Sequence, residues 1–261
     1  IGTRVRVSID GGKSFTYNPV IDCCQAGNTI HIDNHAYWIN PSNSKHLIFG
    51  NDGGLAISHD QGQTFRFVRN LPLAQFYHIA VDNDVPYHIY GGLQDNGSWR
   101  GPAEVWENAG IRNLHWQEVG FGDGFDTLPD PDNSHRGYGM SQGGTLFRWN
   151  LDTGEQNLIM PDPPSADIEL RFNWNAALAI DPFDPNTIYY GSQFVHRSND
   201  RGQSLTVISA DLTANDPKMQ TYRTSGGLKA DVTAAENYTT ISATAPSPLQ
   251  RDVLWAGFDD G

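Results

Sequence analysis

The chain is poor in cysteine and in basic residues, and both shortages limit what it can be. Its two cysteines, Cys23 and Cys24, are adjacent, and because a disulfide between neighbours is strained, no disulfide framework is expected. Lysine and arginine number 17 against 30 aspartates and glutamates, so the formal net charge is −13. Nucleic acids and anionic membranes bind clustered basic residues, so neither is a predicted partner. A neutral sugar, a cation or a basic protein patch remains compatible.

Long apolar runs are also missing, and this excludes another class of protein. No stretch of about 20 apolar residues exists, so no membrane span is predicted. No signal peptide is visible, and the chain begins at Ile1 without a methionine. Glycine (27), proline (15) and aromatic residues (11%) are plentiful, which is typical of many short strands joined by tight turns. No cofactor is predicted.

Two repeated patterns organise the sequence. The first is Ser-x-Asp-x-Gly-x-Ser/Thr followed by Phe or Leu, and it occurs at 8–15, 58–65 and 198–205. The second is an apolar run that ends in glycine and precedes a polar turn. Its anchor glycines follow one another at intervals of 41, 48, 52 and 66 residues: Gly50, Gly91, Gly139, Gly191 and Gly257. Periods of about 40–50 residues with four short strands each are typical of β-propeller blades.

The predicted fold class is therefore all-β, a β-propeller of four-stranded antiparallel blades. In the blade that carries the second Ser-x-Asp repeat, we expect strands A to D at 35–40, 46–50, 55–60 and 64–69. The sequence holds about five blades' worth of strands. We expect a fragment of a longer propeller, with a closed five-bladed ring as the alternative. The predicted single domain, 1–261, divides into the end of one blade, four blades and the start of another: 1–17, 29–69, 74–108, 115–160, 170–210 and 238–261. Long insertions are expected at 160–169 and 214–237.

Several phrases carry a resemblance to a known family, among them "NDGGLAISHDQGQTF", "GGLQDNGSW", "GDGF" and "LWAGFDDG". The chain resembles the Asp-box, or BNR-repeat, β-propellers, which include sialidases, family-74 xyloglucanases and sortilin-type receptors. It looks most like large bacterial secreted proteins labelled "glycosyl hydrolase, BNR repeat" with a sortilin-like propeller. The resemblance implies a carbohydrate-related protein that is secreted, periplasmic or at the cell surface. Sialidases bind a substrate carboxylate through three arginines, and only Arg171 leads into an inner strand here, so sialidase activity is not expected.

The Ser-x-Asp-x-Gly turn itself is predicted to be structural. Serine and aspartate bond readily to nearby backbone groups, Gly62 can supply a positive φ, and Phe65 can pack inward. In an antiparallel blade these C–D turns share one face with the A–B turns. The B–C turns and the segments that lead into each inner strand A share the opposite face. We therefore predict a ligand site on that opposite face, at the mouth of the central channel.

Candidate catalytic residues come from the segments on that face. A glycosidase needs two carboxyl groups, and Asp33 with Asp123 is the first predicted pair, with Asp95 next. The alternative is that these aspartates only cap glycine-containing turns. The other predicted ligand-binding residues are polar or aromatic and lie on the same face: His31, His35, Gln94, Arg171, Asn173, Trp174 and Tyr238.

The row of two histidines and an aspartate at 31–35, and the tryptophans, can each be assigned more than one role. His31, Asp33 and His35 alternate, so on an extended strand they would face one way and could bind a divalent metal. We instead predict that they line the channel and orient Asp33, with no metal site. Trp38, Trp149 and Trp255 are predicted to pack within blades, and Trp174 to stack on a ligand.

The sequence leaves three functions open. The first is a secreted propeller that binds, and in one version hydrolyses, a polysaccharide at the channel mouth. The second is a sortilin-like module that binds a protein or peptide without an acid pair. The third is a structural segment of a larger surface assembly, in which the partner is the remainder of a propeller.

Overall fold

The protein is built from β-strands. The computed structural model describes residues 5–18, 30–218 and 237–260. Within that part, the only helical segments are two 3-10 turns, Asn113–His115 and Gln142–Gly144. No helix there is long and apolar enough to cross a membrane. The cysteine pair Cys23–Cys24 and most of the predicted insertion at 214–237 lie outside the described residues.

The chain divides into two compact units, 1–74 and 75–261. The first unit contains a two-stranded and a four-stranded antiparallel sheet. The two-stranded sheet is β1 (Arg6–Val7) and β2 (Thr16–Tyr17). The other holds β3 (Asn34–Ile39), β4 (Leu47–Asn51), β5 (Gly54–Ser58) and β6 (Arg66–Phe67), in sequence order. These are the four strands predicted for this blade, with ends that differ by a few residues.

The second unit contains three four-stranded sheets and one two-stranded sheet, all antiparallel and in sequence order. The first holds β7 (Phe76–Val81), β8 (His88–Leu93), β9 (Gly97–Pro102) and β10 (Gln117–Gly120). The second holds β11 (Thr127–Asp130), β12 (Asn133–Ser141), β13 (Thr145–Asn150) and β14 (Glu155–Ile159). The third holds β15 (Leu178–Asp181), β16 (Asp184–Gly191), β17 (Val195–Ser198) and β18 (Thr206–Val207). The last holds β19 (Ile241–Pro246) and β20 (Leu254–Phe258).

This architecture confirms the predicted fold class, all-β with four-stranded propeller blades. One strand differs from the predicted division of the chain. β10 completes the sheet of β7–β9, although its residues fall in the range 115–160 that the sequence assigned to the following blade. The difference arises because a long loop, 103–116, separates β9 from β10 in this blade.

Neighbouring sheets of the second unit are joined by apolar side chains. One buried cluster links the second and third sheets and their connecting segment: Phe125, Tyr138, Met140, Leu146, Phe172, Ala176, Leu178, Ile188 and Tyr190. Trp149 is buried between the first and second sheets, as predicted. The same prediction is wrong for Trp255, which is 71% exposed. Trp38 is half exposed and meets His46, directly before β4, edge-on with centroids 5.4 Å apart.

The anchor glycines occupy one register position in every blade. Four pair with a residue on strand A, and the fifth, Gly191, donates its N–H to Ala177 O at 2.9 Å. The residue directly before each partner is therefore an equivalent inner-strand position, occupied by His35, His78, Asp126, Ala176 and Ser242. In β7 the register slips here, so that Tyr77 and His78 together oppose Gly92. Such bulges redirect side chains and are common beside functional sites.

The Ser-x-Asp-x-Gly turns close on themselves, as predicted. Ser58 Oγ donates to Asp60 Oδ1 at 2.8 Å and accepts the Gly62 N–H at 2.8 Å. Thr64 donates its N–H and hydroxyl to Asp60 at 2.9 and 2.6 Å, and Gly62 has a φ of +81°. The same bonds recur in the turns at 8–14 and 198–204. The Thr64 hydroxyl bond is the largest cause that lowers the pKa of Asp60 to about 2.

Candidate functional site

The candidate site lies where the first two sheets of the second unit meet, on the face opposite that unit's Ser-x-Asp turn, 198–204. It is formed by the start of β7, the turn 94–96 and the segment 121–126 that leads into β11. Two backbone bonds join the turn to that segment, Gly97 N–H to Gly122 O and Gly124 N–H to Leu93 O, both at 2.9 Å. We call the following residues the junction site: Tyr77, His78, Gln94, Asp95, Phe121, Asp123 and Asp126.

Glycine is required for this close approach. A Cβ on Gly124 would lie 2.3 Å from Gly97 O, and one on Gly92 would lie 2.1 Å from Gly124 C. Both neighbours are backbone atoms, so rotating a side chain could not relieve the overlap. One tight backbone contact therefore explains Gly124 in the "GDG" segment and Gly92 in the "GGLQDNG" segment.

Two of the three predicted catalytic aspartates, Asp95 and Asp123, belong to the second unit, and they lie together at the junction. Asp123 is buried, and its Oδ1 accepts the backbone N–H of Asp95 at 2.6 Å. The N–H of Asp123 in turn donates to Gln142 Oε1 at 2.9 Å. Since the Asp95 side chain is short, this contact keeps the two carboxyl groups within about 8 Å of each other. The same bond caps the turn 94–96, so the turn-capping alternative also describes Asp123.

An aromatic surface accompanies these carboxylates. The Tyr77 hydroxyl donates to Gln94 Oε1, and the ring lies against Phe125 with centroids 4.7 Å apart and planes tilted by 33°. Tyr77 is 41% exposed, and Phe121, on the segment leading into β11, is almost fully exposed. Two contacts thus hold the Tyr77 ring in place while much of its surface remains open to solvent.

A histidine–aspartate pair completes the junction, and the sequence reasoning did not assign it. His78 Nδ1 lies 2.7 Å from Asp126 Oδ1. This contact connects inner strand β7 with the residue that directly precedes inner strand β11. Burial raises the pKa of the Asp126 carboxyl, and the neighbouring His78 partly offsets that rise. The signal that could have found the pair is the register itself, since both residues directly precede the partner of an anchor glycine.

The predicted residues of the first unit do not form the expected row. Asp33 has a φ of +59° and β3 begins only at Asn34, so the segment 31–35 is not a continuous extended strand. The register also slips between Asn34 and Ala36, at His35. The predicted alternation of His31, Asp33 and His35 is therefore wrong. His31 Nδ1 lies 2.9 Å from Ile32 O, and His35 Nε2 lies 2.7 Å from Asp52 Oδ1.

Arg171 and its neighbours lie in a different junction, between the third and fourth sheets. The Arg171 guanidinium donates to Asp211 Oδ2 at 3.1 Å, to Thr213 Oγ1 at 3.0 Å and to Thr239 O at 3.3 Å. Its charge is neutralised by Asp211, and the side chain is mostly buried, so it supports the fold at this position.

Asn173 and Tyr238 also lie near this second junction, whereas Trp174 packs between the second and third sheets. Asn173 Nδ2 donates to Asp259 Oδ2 at 2.9 Å. Trp174 is half-buried, packs against the buried cluster and meets Phe125 edge-on with centroids 6.3 Å apart. Tyr238 is half-buried in the segment that leads into β19. The role of Trp174 in ligand stacking stays a prediction.

Polar side chains of the B–C turns brace the segments that lead into strand A. Gln193 Oε1 accepts the Arg171 N–H at 2.8 Å, and Asp259 Oδ1 accepts the Thr240 N–H at 2.8 Å. The Gln142–Asp123 bond is the same arrangement in the second sheet. Part of the polarity on this face therefore satisfies backbone groups and is not available to a ligand.

Comparisons with known proteins match the fold only. Neither a protein-family model nor a curated protein matches the sequence. A GH74 xyloglucanase structure from Xanthomonas campestris is 16% identical with a TM-score of 0.44, and the match covers 99% of this chain and 40% of that one. A GH74 enzyme from Niastella koreensis is 14% identical with a TM-score of 0.47, covering 100% and 40%. An auxiliary nutrient binding protein from Bacteroides thetaiotaomicron is 14% identical with a TM-score of 0.39, covering 70% and 43%.

The chain thus spans about two fifths of the length of these two GH74 enzymes. At such low identity and TM-score, none of the three assigns an activity or a site residue to this protein.

Among the described residues, one group formed by the second unit alone has the composition of a metal site. Asp82, Asp84 and His88 place ligand atoms within 4.8 Å of one another, at the A–B turn of the first sheet of the second unit. However, Arg100 Nη2 lies 3.1 Å from His88 Nε2, and its positive charge opposes a cation there. Asp130 and Arg136, also six residues apart across an A–B turn, form a similar pair at 2.8 Å. We therefore interpret the Asp82–His88 pair as a contact that stabilises the A–B turn.

Proposed function

We propose that this protein binds a neutral glycan at the junction site, in a secreted or cell-surface setting. The observation that carries the proposal is the exposed Tyr77 ring, held beside Gln94 and next to the carboxylates of Asp95 and Asp123. A flat aromatic surface can contact the apolar face of a sugar. Carboxylate and amide groups can bond to its hydroxyls, and a small number of such polar groups gives a site its specificity.

The charge of the protein favours a neutral ligand over an anionic one. The net charge is −13, and the described junction site has carboxylates but no lysine or arginine. An anionic sugar would therefore be repelled both by the site and by the protein as a whole.

The test is affinity electrophoresis in gels that contain soluble xyloglucan, mixed-linkage β-glucan or galactomannan. We expect retardation in at least one gel, and a loss of affinity of about two- to tenfold in Tyr77→Ala, since ring stacking contributes about 0.5–1.5 kcal/mol. The matched control is Tyr87→Ala, because Tyr87 is 48% exposed but lies in an A–B turn on the opposite face. No retardation in any gel, or equal effects of the two substitutions, would contradict the proposal.

Hydrolysis is the second candidate function, and the proximity of Asp95 to Asp123 favours it. A separation below about 8 Å is compatible with the retaining geometry, about 5–5.5 Å, and with the lower part of the inverting range, about 6.5–9.5 Å. Release of reducing ends from a retained polysaccharide would test it. We expect Asp95→Asn and Asp123→Asn to abolish release without abolishing retardation. If Asp95→Asn leaves release unchanged, Asp95 and Asp123 are not the catalytic pair.

A further inference from the structure

We propose that His78 Nε2 accepts a hydrogen bond from a hydroxyl group of the bound glycan, and that Asp126 is a positioning residue that fixes the histidine tautomer. This inference rests on the proposed function, because it concerns the same site. It goes beyond that function by naming the group that recognises the hydroxyl and the residue that prepares it.

The geometry of the pair sets the tautomer. An ionised carboxylate only accepts hydrogen bonds, so the 2.7 Å contact requires the hydrogen of the imidazole to be on Nδ1 of His78. In the neutral ring, Nε2 then has a free lone pair and is an acceptor. Because the two nitrogens lie on opposite sides of the ring, Nε2 points away from Asp126. The His78 side chain is 55% exposed, so solvent and ligands can reach the ring.

Burial of the Asp126 carboxylate strengthens the hydrogen bond that orients the His78 ring. The Asp126 side chain is 18% exposed, and few waters can compete for its oxygen atoms. A hydrogen bond shielded from water is electrostatically stronger than one at the surface. His135 and Asp152 make a similar contact at 2.6 Å, but that carboxylate is 61% exposed and the pair lies across the A–B turn and its neighbouring C–D turn, on the opposite face.

The position of the pair points to a ligand. The bulge in β7 places Tyr77 and His78 opposite the same residue, Gly92, so the histidine follows directly on the exposed ring that carries the proposed glycan contact. Sugar hydroxyls need acceptors as well as donors. A neutral imidazole supplies an acceptor without adding a negative charge to a site that already holds the carboxylates of Asp95, Asp123 and Asp126.

The first arm of the test needs no ligand. Nitrogen NMR of the imidazole in the free protein should show His78 with hydrogen on Nδ1 and none on Nε2 at neutral pH. Asp126→Asn should shift that population toward hydrogen on Nε2, because an amide can also donate to Nδ1. A merely structural role of Asp126 would not move this signature. A wild-type His78 with its hydrogen on Nε2 would overturn the inference.

The second arm measures affinity by calorimetry, with xyloglucan heptasaccharide, a cellotetraose and a mannotetraose as probes. We expect His78→Gln and Asp126→Asn each to weaken binding about fivefold, the loss of one hydrogen bond. His135→Gln should change affinity less than twofold. Circular dichroism checks that each variant is folded.

The outcomes separate the two claims. If the wild type binds none of the probes, the proposed function fails and the hydroxyl contact fails with it. If the wild type binds but His78→Gln and Asp126→Asn bind equally well, this inference alone is overturned and the proposed function stands. A loss in both variants together with the Nδ1–H tautomer supports the inference.

Discussion

Acid should destabilise the second unit through one buried histidine, His196. Its side chain on β17 is fully buried, with Nε2 2.8 Å from Ser192 Oγ. Nδ1 has no hydrogen-bond partner among the described residues. Burial lowers the pKa of His196 from 6.5 to about 4, because the protonated ring would carry an uncompensated charge in the core.

The sign and size of the effect follow from proton linkage. The unfolded chain protonates this histidine near pH 6.5 and the folded chain only near pH 4, so between those values the unfolded state binds more protons. The free energy of unfolding therefore falls as the pH falls through this window, by about 1.4 kcal/mol per pH unit. From pH 7.5 to pH 4.5 the loss due to His196 is about 2.5 kcal/mol.

Urea denaturation of the wild type and of His196→Gln at several pH values checks this. Glutamine can still bond to Ser192 but does not titrate. The difference between the two unfolding free energies should therefore shift by about 2.5 kcal/mol in favour of the variant between pH 7.5 and 4.5. All other titrating groups are common to both proteins and cancel in the difference. A difference that stays constant within about 0.5 kcal/mol would refute the reasoning, because the histidine would then be hydrated or already charged in the fold.

Two further substitutions test the frame around the site. Asp60→Asn should lower the urea midpoint without changing glycan retardation, and its disadvantage should shrink as the pH falls from about 4 toward 2, where the wild-type carboxyl is protonated as well. Equal losses at every pH would show that charge is irrelevant to this turn. Gly124→Ala should cost about 2 kcal/mol or more and abolish retardation, since its Cβ would overlap Gly97 O. Gly257→Ala, whose Cβ would meet only Ala243 at 3.8 Å, is the control, and an equal cost in both would contradict the close-contact argument.

The parts of the fold that the sequence predicted are those encoded by local patterns. The strands of the blade at 34–67, the anchor glycines and the Ser-x-Asp turns each depend on residues within about ten positions of one another. The sequence assigned β10 to the following blade because its pairing with β9 spans the loop 103–116. No local sequence pattern predicts the length of that loop. The His78–Asp126 pair joins residues 48 positions apart, and only the common register of two blades makes them neighbours.

The same reasoning explains why residue type alone could not separate ligand-binding side chains from those that brace the backbone on the face of the B–C turns. Both roles use asparagine, glutamine and aspartate. Gln193 bonds to backbone atoms through both ends of its amide, to Arg171 N–H and Glu169 O, so its hydrogen bonds are directed into the fold. Gln94, also a glutamine of a B–C turn, is exposed and bonds instead to the hydroxyl of an exposed tyrosine. What distinguishes the two is whether the partner is backbone or an exposed side chain. By that criterion, Tyr77, Gln94 and His78 are better candidates for ligand contact than Arg171 and Asn173.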